Sequence, residues 1–361
     1  MEVPPDEIAM KRTIFILHPG AIGDVLLAVP AIRQLKSRFP GHQLLLCARE
    51  SVANLLSGCG EVHNWISVES RCVGRLFGNS LHISGELASR LNRCDLAVAW
   101  MQDQTGSLAA VLESCGVRET HIESPFSPRL LAKHQQDRLL ETIGEPGTDL
   151  LSFRRLKLSS SVLDRGAALL QSNKVPLNPP LIIVHPGSGS RNKCVGSTLL
   201  ASAVGPLQEE GFTVALLEGP ADHESIRSLV PLLPKCPTVI RESGFDEVAG
   251  ILAHAGLFIG QDSGMTHLSA LLGIKTVALF GPTDPERWAP RGKHVTVLGR
   301  RNRCRCESWD DVGRCSDKPC FGLSADEITE VCLRQRLGSA SPRNPRGCAL
   351  SPPTSYARVA S

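Results

Sequence analysis

The 361-residue chain has no run of about 18 consecutive apolar residues, so it offers no segment of the kind that crosses a bilayer as a helix. Its N-terminus, MEVPPDEIAMKR, lacks the apolar core of a secretory signal and carries acidic residues instead. Net charge is nearly absent. Lys and Arg number 39 against 36 Asp and Glu, and the balance of +3 is too small to argue for nucleic acid as a partner. A disulfide framework is lacking as well. The 13 cysteines are odd in number, and most stand singly in apolar runs, as Cys47 does in LLLCA. That is the pattern of reduced thiols packed as small hydrophobes in a cytoplasmic enzyme. Only Cys304, Cys306, Cys315 and Cys320 cluster. Two ligands separated by one residue are poorly placed for a tetrahedral knuckle, so no metal is expected there. The dinucleotide fingerprint G-x-G-x-x-G is missing too, which weighs against a nicotinamide cofactor.

What is present is an ordinary globular composition, 42% hydrophobic and 21% charged, in a chain long enough for two domains. Short apolar runs alternate with helical patterns, which predicts an α/β protein. Thr13–Leu17, TIFIL, reads as a strand buried on both faces. The loop His18-Pro19-Gly20-Ala21-Ile22-Gly23 follows, and a helical pattern starts at Asp24, with Val25, Leu26, Val29, Ile32 and Leu35 on one face. Pro30 is expected to kink that helix. A strand at 42–48 completes a β-α-β unit. Further along, 95–100 reads as a strand and 106–112 and 130–143 as helices. Residues 1–10 are expected to fray.

The Pro/Asn-rich segment 175–180 marks a domain boundary. It separates an N-terminal unit, 11–174, from a C-terminal unit, 181–336, and the tail 338–361 has the Ser/Pro/Arg composition of a disordered segment. The second unit opens as the first does. A strand at 181–184 runs into His185-Pro186-Gly187-Ser188-Gly189-Ser190, repeating the His-Pro-Gly turn at His18. Gly187 and Gly189 suit a loop folded over phosphate. Lys193 then offers an ammonium, either to a diphosphate or simply to solvent.

The stretch from Leu257 to Pro290 carries the most chemistry. Strand, polar loop, helix and strand follow in order, with Asp262 and Ser263 at the helix start, Gly264 next, and Gly273 where a left-handed cap belongs. The first N–H groups of a helix have no internal partners, so this is an anion site by construction. Asp262 and Ser263 either cap the helix or bind ligand hydroxyls. His267 either meets the phosphate side or packs. Asp24 is likewise open: an N-cap, or a carboxylate facing the crevice of a doubly wound sheet. Ser324 with Glu327 fits a capping box at the start of the last helix.

The motifs DSGMTHLSALLG and VALFGPTDPERWAP, together with GAIGDVLLAVPAI near the N-terminus, resemble glycosyltransferase family 9, the heptosyltransferases of the lipopolysaccharide inner core. The resemblance covers roughly residues 12 to 335. It implies a GT-B fold of two Rossmann-like domains facing across a cleft, the first binding acceptor and the second the donor nucleotide. It implies inverting transfer of heptose from ADP-heptose to a lipid-linked core oligosaccharide, without metal or cofactor, and with peripheral contact at the inner membrane. Asp24 becomes the general base and Lys193 the partner of the departing diphosphate. Ser188, Gly189, Asp222, Asp262, Ser263, Gly264, Met265, Thr266 and His267 fall on the donor side, Asp222 as a ribose or sugar contact. Arg33, Lys36, Arg38, Arg71, Arg75, Arg90 and Arg93 are candidates for a basic acceptor surface. The terminal helix is expected to pack back on the first domain.

Two departures stand out. The family's Lys-Trp-Pro is Lys193-Cys194-Val195 here, and Glu218 replaces a residue that is commonly small. Three alternatives stay in view: another nucleotide-sugar donor, a nicotinamide-dependent oxidoreductase, and a catalytically silent nucleotide-sugar-binding protein.

Overall fold

The computed structural model describes residues 11–337, except 78–82, 84, 126–132, 145–153, 178–179, 242, 301–302 and 307. The frayed start and the disordered tail expected from the sequence lie outside these residues.

Two parallel sheets form the framework. The first contains β1 (Thr13–Leu17), β2 (Gln43–Ala48), β3 (Asn64–Ser67), β4 (Cys94–Ala99) and β5 (Glu119–Ile122), in the order β3-β2-β1-β4-β5. The second contains β6 (Leu181–His185), β7 (Thr213–Leu217), β8 (Thr238–Ile240), β9 (Leu257–Gln261), β10 (Thr276–Leu279) and β11 (Val295–Leu298), in the order β11-β10-β9-β6-β7-β8. Every pairing is parallel. Central strands β1, β6 and β9 are buried along their whole length, as their unbroken apolar runs require. In each sheet the strand order reverses beside the first strand, between β1 and β4 and between β6 and β9. A doubly wound sheet opens its ligand crevice there, outside the carboxyl ends of the strands.

The first helical pattern is broken rather than kinked. One helix, Ile22–Leu27, ends at Ala28, and a second, Val29–Arg38, starts with Pro30 in its first turn. Proline has no N–H and is tolerated there, so the chain restarts the helix around it. The first helix also starts two residues ahead of Asp24.

The two units touch at several points. The Ser160–Ser172 helix crosses the Phe245–Ala253 helix at a contact that admits no side chain. A Cβ on Gly166 would lie 2.2 Å from the carbonyl carbon of Gly250, and one on Gly250 would lie 2.3 Å from Val162 O. At the Gln135–Thr142 helix, His134 Nδ1 accepts the Gln136 N–H, so Nε2 carries the ring proton and donates to Ala289 C=O at 2.8 Å. Arg291 forks onto Asp137 at 2.5 and 2.7 Å beside it.

The last helix corrects an expectation. Ala325–Leu337 packs on the Ser197–Glu209 helix of its own unit, with Thr329 Oγ1 donating to Ala203 C=O at 2.9 Å. Ile328 and Cys332 supply its buried face, so the core of the second sheet claims this helix and the first unit does not. Of the expected capping box the Ser324 half is present, accepting the Glu327 N–H at 3.1 Å, while the Glu327 carboxylate accepts from Arg300 Nη2 at 2.6 Å.

Cys47, Cys94 and Cys332 are buried thiols, pushed by burial to about 12, 11 and 12. At those values they remain protonated and inert. Among the described residues no helix is long and apolar enough to cross a membrane.

Candidate active site

A cleft of about 1350 Å³ opens between the carboxyl ends of the two sheets. It is lined from the first unit by the Ala21–Asp24 turn and from the second by the loops after β6, β7 and β9. The Ile22–Leu27 and Gly264–Leu272 helices meet start to start across it. A Cβ on Gly264 would sit 3.1 Å from Ile22 Cγ2 and 3.3 Å from Gly23 N. Glycine at both positions allows backbone to approach backbone, and this contact brings Asp24 up to the second unit.

Asp24 stands third in its helix, and its Oδ2 accepts the Ala21 N–H at 3.1 Å. It therefore does cap the turn, with one oxygen. Burial raises its pKa above the ordinary carboxylate value; the Ala21 N–H and Lys193 oppose that, while Asp262 adds to it. The carboxylate of the first unit thus shares a field with Lys193 and Asp262 of the second.

Lys193 Nζ lies 2.9 Å from Asp262 Oδ2, and the same oxygen accepts the Thr283 hydroxyl at 2.6 Å. Ser188 donates to the Asp262 carbonyl at 2.5 Å, joining the loop after β6 to the loop after β9. Asp262 is therefore an orienting group between two loops and makes no cap. Ser263 is the N-cap residue by position, yet its side chain makes no capping bond. Thr266 and His267 N–H both reach Ser263 C=O, at 3.2 and 3.3 Å, which leaves the Gly264 and Met265 amides pointing out of the first turn.

His185 links these parts. Its Nε2–H donates to Asp222 Oδ2 at 2.9 Å, so in the neutral ring Nδ1 accepts from Ser263 Oγ at 3.3 Å. Asp222 also accepts the Gly219 N–H at 2.8 Å and is held below the usual carboxylate range by His185, against the opposing effect of burial.

Not every residue singled out from the sequence reaches the cleft. Ser188, Gly189, Lys193, Asp222, Asp262, Ser263, Gly264, Met265 and His267 line it. Thr266 does not: it is fully buried, and its hydroxyl donates to Gln261 C=O at 2.5 Å, tying helix to strand end. His267 lies against Gly23, and burial lowers its pKa to about 4, so it carries no charge toward a phosphate at neutral pH. The basic set is largely engaged elsewhere. Arg33 pairs with Glu61 at 2.6 Å, Arg90 with Glu86 at 2.5 Å, and Lys36, Arg38 and Arg93 donate to backbone carbonyls.

The sequence reasoning missed Thr283, which sits in the FGPTDP turn after a buried strand, a position where a polar residue faces the crevice. It missed Trp309 too, an exposed indole at the cleft whose ring centroid lies 5.8 Å from Lys193 Nζ. No local pattern flagged it. Among the described residues no three His, Cys, Asp or Glu side chains are arranged to hold a metal ion.

Two parallel doubly wound sheets facing across a crevice make up the GT-B fold. Residues 155–311 match the model of glycosyltransferase family 9 (heptosyltransferase). Lipopolysaccharide heptosyltransferase 3 of Escherichia coli strain K12 is 22% identical over 88% of this chain and 97% of its own length. Among solved structures, a family 9 glycosyl transferase from Veillonella parvula DSM 2008 superposes with a TM-score of 0.73 at 18% identity, covering 94% of this chain and 99% of its own. E. coli ADP-heptose lps heptosyltransferase II gives 0.70 at 19%, covering 91% and 99%. The family match thus spans residues 155–311, and the likeness to heptosyltransferases extends over most of the chain.

Proposed function

We propose that this glycosyltransferase moves heptose from ADP-heptose to a hydroxyl of the lipopolysaccharide core, with inversion and without a metal. The observation that carries the reading is the placement of Asp24, from one unit, in the same field as the Lys193–Asp262 pair of the other. Asp24 takes the proton of the acceptor hydroxyl, the oxygen forms a bond to the anomeric carbon, and the bond from that carbon to the diphosphate breaks. The electron pair leaves with the ADP. Lys193 and the outward amides of the Gly264–Leu272 helix meet the charge that develops there, the work a divalent cation performs in other transferases. Asp262, held by Thr283 and Ser188, orients Lys193 and the sugar. On this reading the acceptor is lipid-linked and meets the enzyme at the cytoplasmic face of the inner membrane.

The test is thermal stabilisation by ADP, UDP, GDP and NAD, followed by transfer from ADP-heptose to a Kdo–lipid A acceptor with and without EDTA. A nucleotide at 100 times its dissociation constant stabilises the fold by about 2.7 kcal/mol, which a melting curve resolves. A response to ADP with EDTA-resistant transfer supports the reading. A response to UDP or GDP alone keeps the transferase and replaces the donor. Loss of transfer in EDTA overturns the metal-independent step.

A further inference from the structure

Glu218 follows β7 directly and lines the cleft. Its N–H donates to Ile240 C=O at 3.0 Å, fixing it between the ends of β7 and β8. The side chain is only 9% exposed, whereas its two partners, His223 and Arg241, are in water. Oε1 accepts His223 Nδ1–H at 3.0 Å and Oε2 accepts Arg241 Nε–H at 2.6 Å. The carboxylate is the inner member of the group, and the imidazole and guanidinium are its outer braces. An ionised carboxylate has about four acceptor positions, and these two bonds leave about two of them for a ligand.

Asp222, four residues on, is in the opposite condition. It is 3% exposed, and its Oδ2 accepts from both His185 and Gly219. Its Oδ1 lies against Gly187, so closely that a Cβ there would fall 1.6 Å away. Asp222 is walled in by the loop it supports.

The sheet order supplies an independent argument. β6 is the first strand of the second unit and β7 pairs beside it. In doubly wound nucleotide sites the phosphates lie on the Gly-containing turn after the first strand, and an acid farther along the chain binds the ribose hydroxyls. Here that turn runs from His185 to Lys193, and β7 delivers Glu218. Next along the cleft come Arg241, Ser243, Phe245 and Val248, a partly apolar slot for a base.

We propose that Glu218, braced by Arg241 and His223, takes the ribose hydroxyls of the donor nucleotide, and that Asp222 shapes the phosphate loop instead of touching ribose. The inference rests on the nucleotide-sugar reading above.

The test is calorimetric binding of ADP, 2′-deoxy-ADP and 3′-deoxy-ADP to the wild-type protein, Glu218→Ala and Asp222→Asn. The wild type is expected to bind at least one deoxy form about ten-fold more weakly than ADP, the size of a hydrogen bond to a charged group. Glu218→Ala is expected to bind ADP and that deoxy form alike. Asp222→Asn is expected to weaken all three together and keep the ratio. Glu218→Ala leaves only the exposed His223 and Arg241 side chains unpaired, and a melting curve checks that it folds. A ratio that survives in Glu218→Ala, or disappears in Asp222→Asn, overturns the assignment, as does a wild type that binds ADP without discrimination. If UDP or GDP binds in place of ADP, the same comparison is made with its deoxy forms. If no nucleoside diphosphate binds, the donor reading falls and the ribose assignment with it.

Discussion

Lys193 and Asp262 form a close ion pair, 2.9 Å from Nζ to Oδ2, inside the cleft between the two sheets. Asp262 is 7% exposed and Lys193 26%, so the ammonium is the accessible partner and the carboxylate its anchor. The pair keeps a flexible cation pointed at one place, and Trp309 bounds the same ammonium from another side. Lys193→Met is expected to lower the transfer rate by about a hundred-fold, the scale for loss of one preorganised charge-stabilising group. Single-turnover rates beside ADP affinity check this: a rate unchanged at saturating donor would remove Lys193 from the departing-group role.

Asp24→Asn is expected to abolish measurable transfer and leave ADP affinity unchanged within about two-fold, since the residue belongs to the unit opposite the nucleotide loops. The transfer rate should rise with pH through the Asp24 midpoint, displaced upward by burial. The same displacement has a stability consequence. An acid whose folded pKa is raised contributes stability below its unfolded value and loses it as pH climbs through the folded one. At neutral pH the ionised Asp24 is therefore a burden on the fold, and Asp24→Asn is expected to melt higher than the wild type. An equal or lower melting temperature would contradict this.

Acidification should act through three buried histidines. His18, His134 and His267 are each lowered by burial from 6.5 to about 4. Between those values the unfolded chain binds protons that the folded one does not, so stability falls as pH drops from about 6.5 toward 4. Melting temperatures measured across that window should show the slope, and His267→Gln should flatten it. A slope unchanged in the variant would mean that His267 titrates normally.

Two nearby glycines should respond oppositely to one methyl group. Gly187→Ala drives its Cβ into Asp222 and is expected to lose ADP binding by displacing the Asp222–His185 pair. Gly189→Ala meets nothing within 4 Å and should bind ADP nearly as the wild type does. Equal losses at both positions would show that loop flexibility, and not the Asp222 contact, governs binding.

Much of the fold was readable because buried parallel strands write themselves as unbroken apolar runs: β1 lies where TIFIL predicted it, and β6 and β9 within one or two residues. Asp24, Lys193, Asp262 and Ser263 stood out because they follow strand ends, where such sheets open their crevice, but position alone left each open between cleft and cap or solvent, and only the family resemblance chose. Pairings between distant segments were not readable. Nothing near His185 announces Asp222, 37 residues away, and nothing in the Ser160–Ser172 helix announces its partner. Thr266 misled because helix periodicity states which residues share a face, but not that its hydroxyl turns back to Gln261. The last helix misled because its placement was carried over from the family resemblance, whereas Ile328 and Cys332 bury in the second core.

The glycine-to-glycine crossing at Gly166 and Gly250 bears on how the enzyme can be taken apart. It fastens the Ser160–Ser172 helix to the second unit, and the Leu156 N–H adds a bond to Leu271 C=O at 2.8 Å. A fragment cut at the Pro-rich link near 180 would strip that helix away and expose the face of Phe245–Ala253 that it covers. An autonomous half-enzyme should therefore begin near residue 155, where the family match also begins. The unit defined by packing is therefore longer at its front than the unit defined by its sheet.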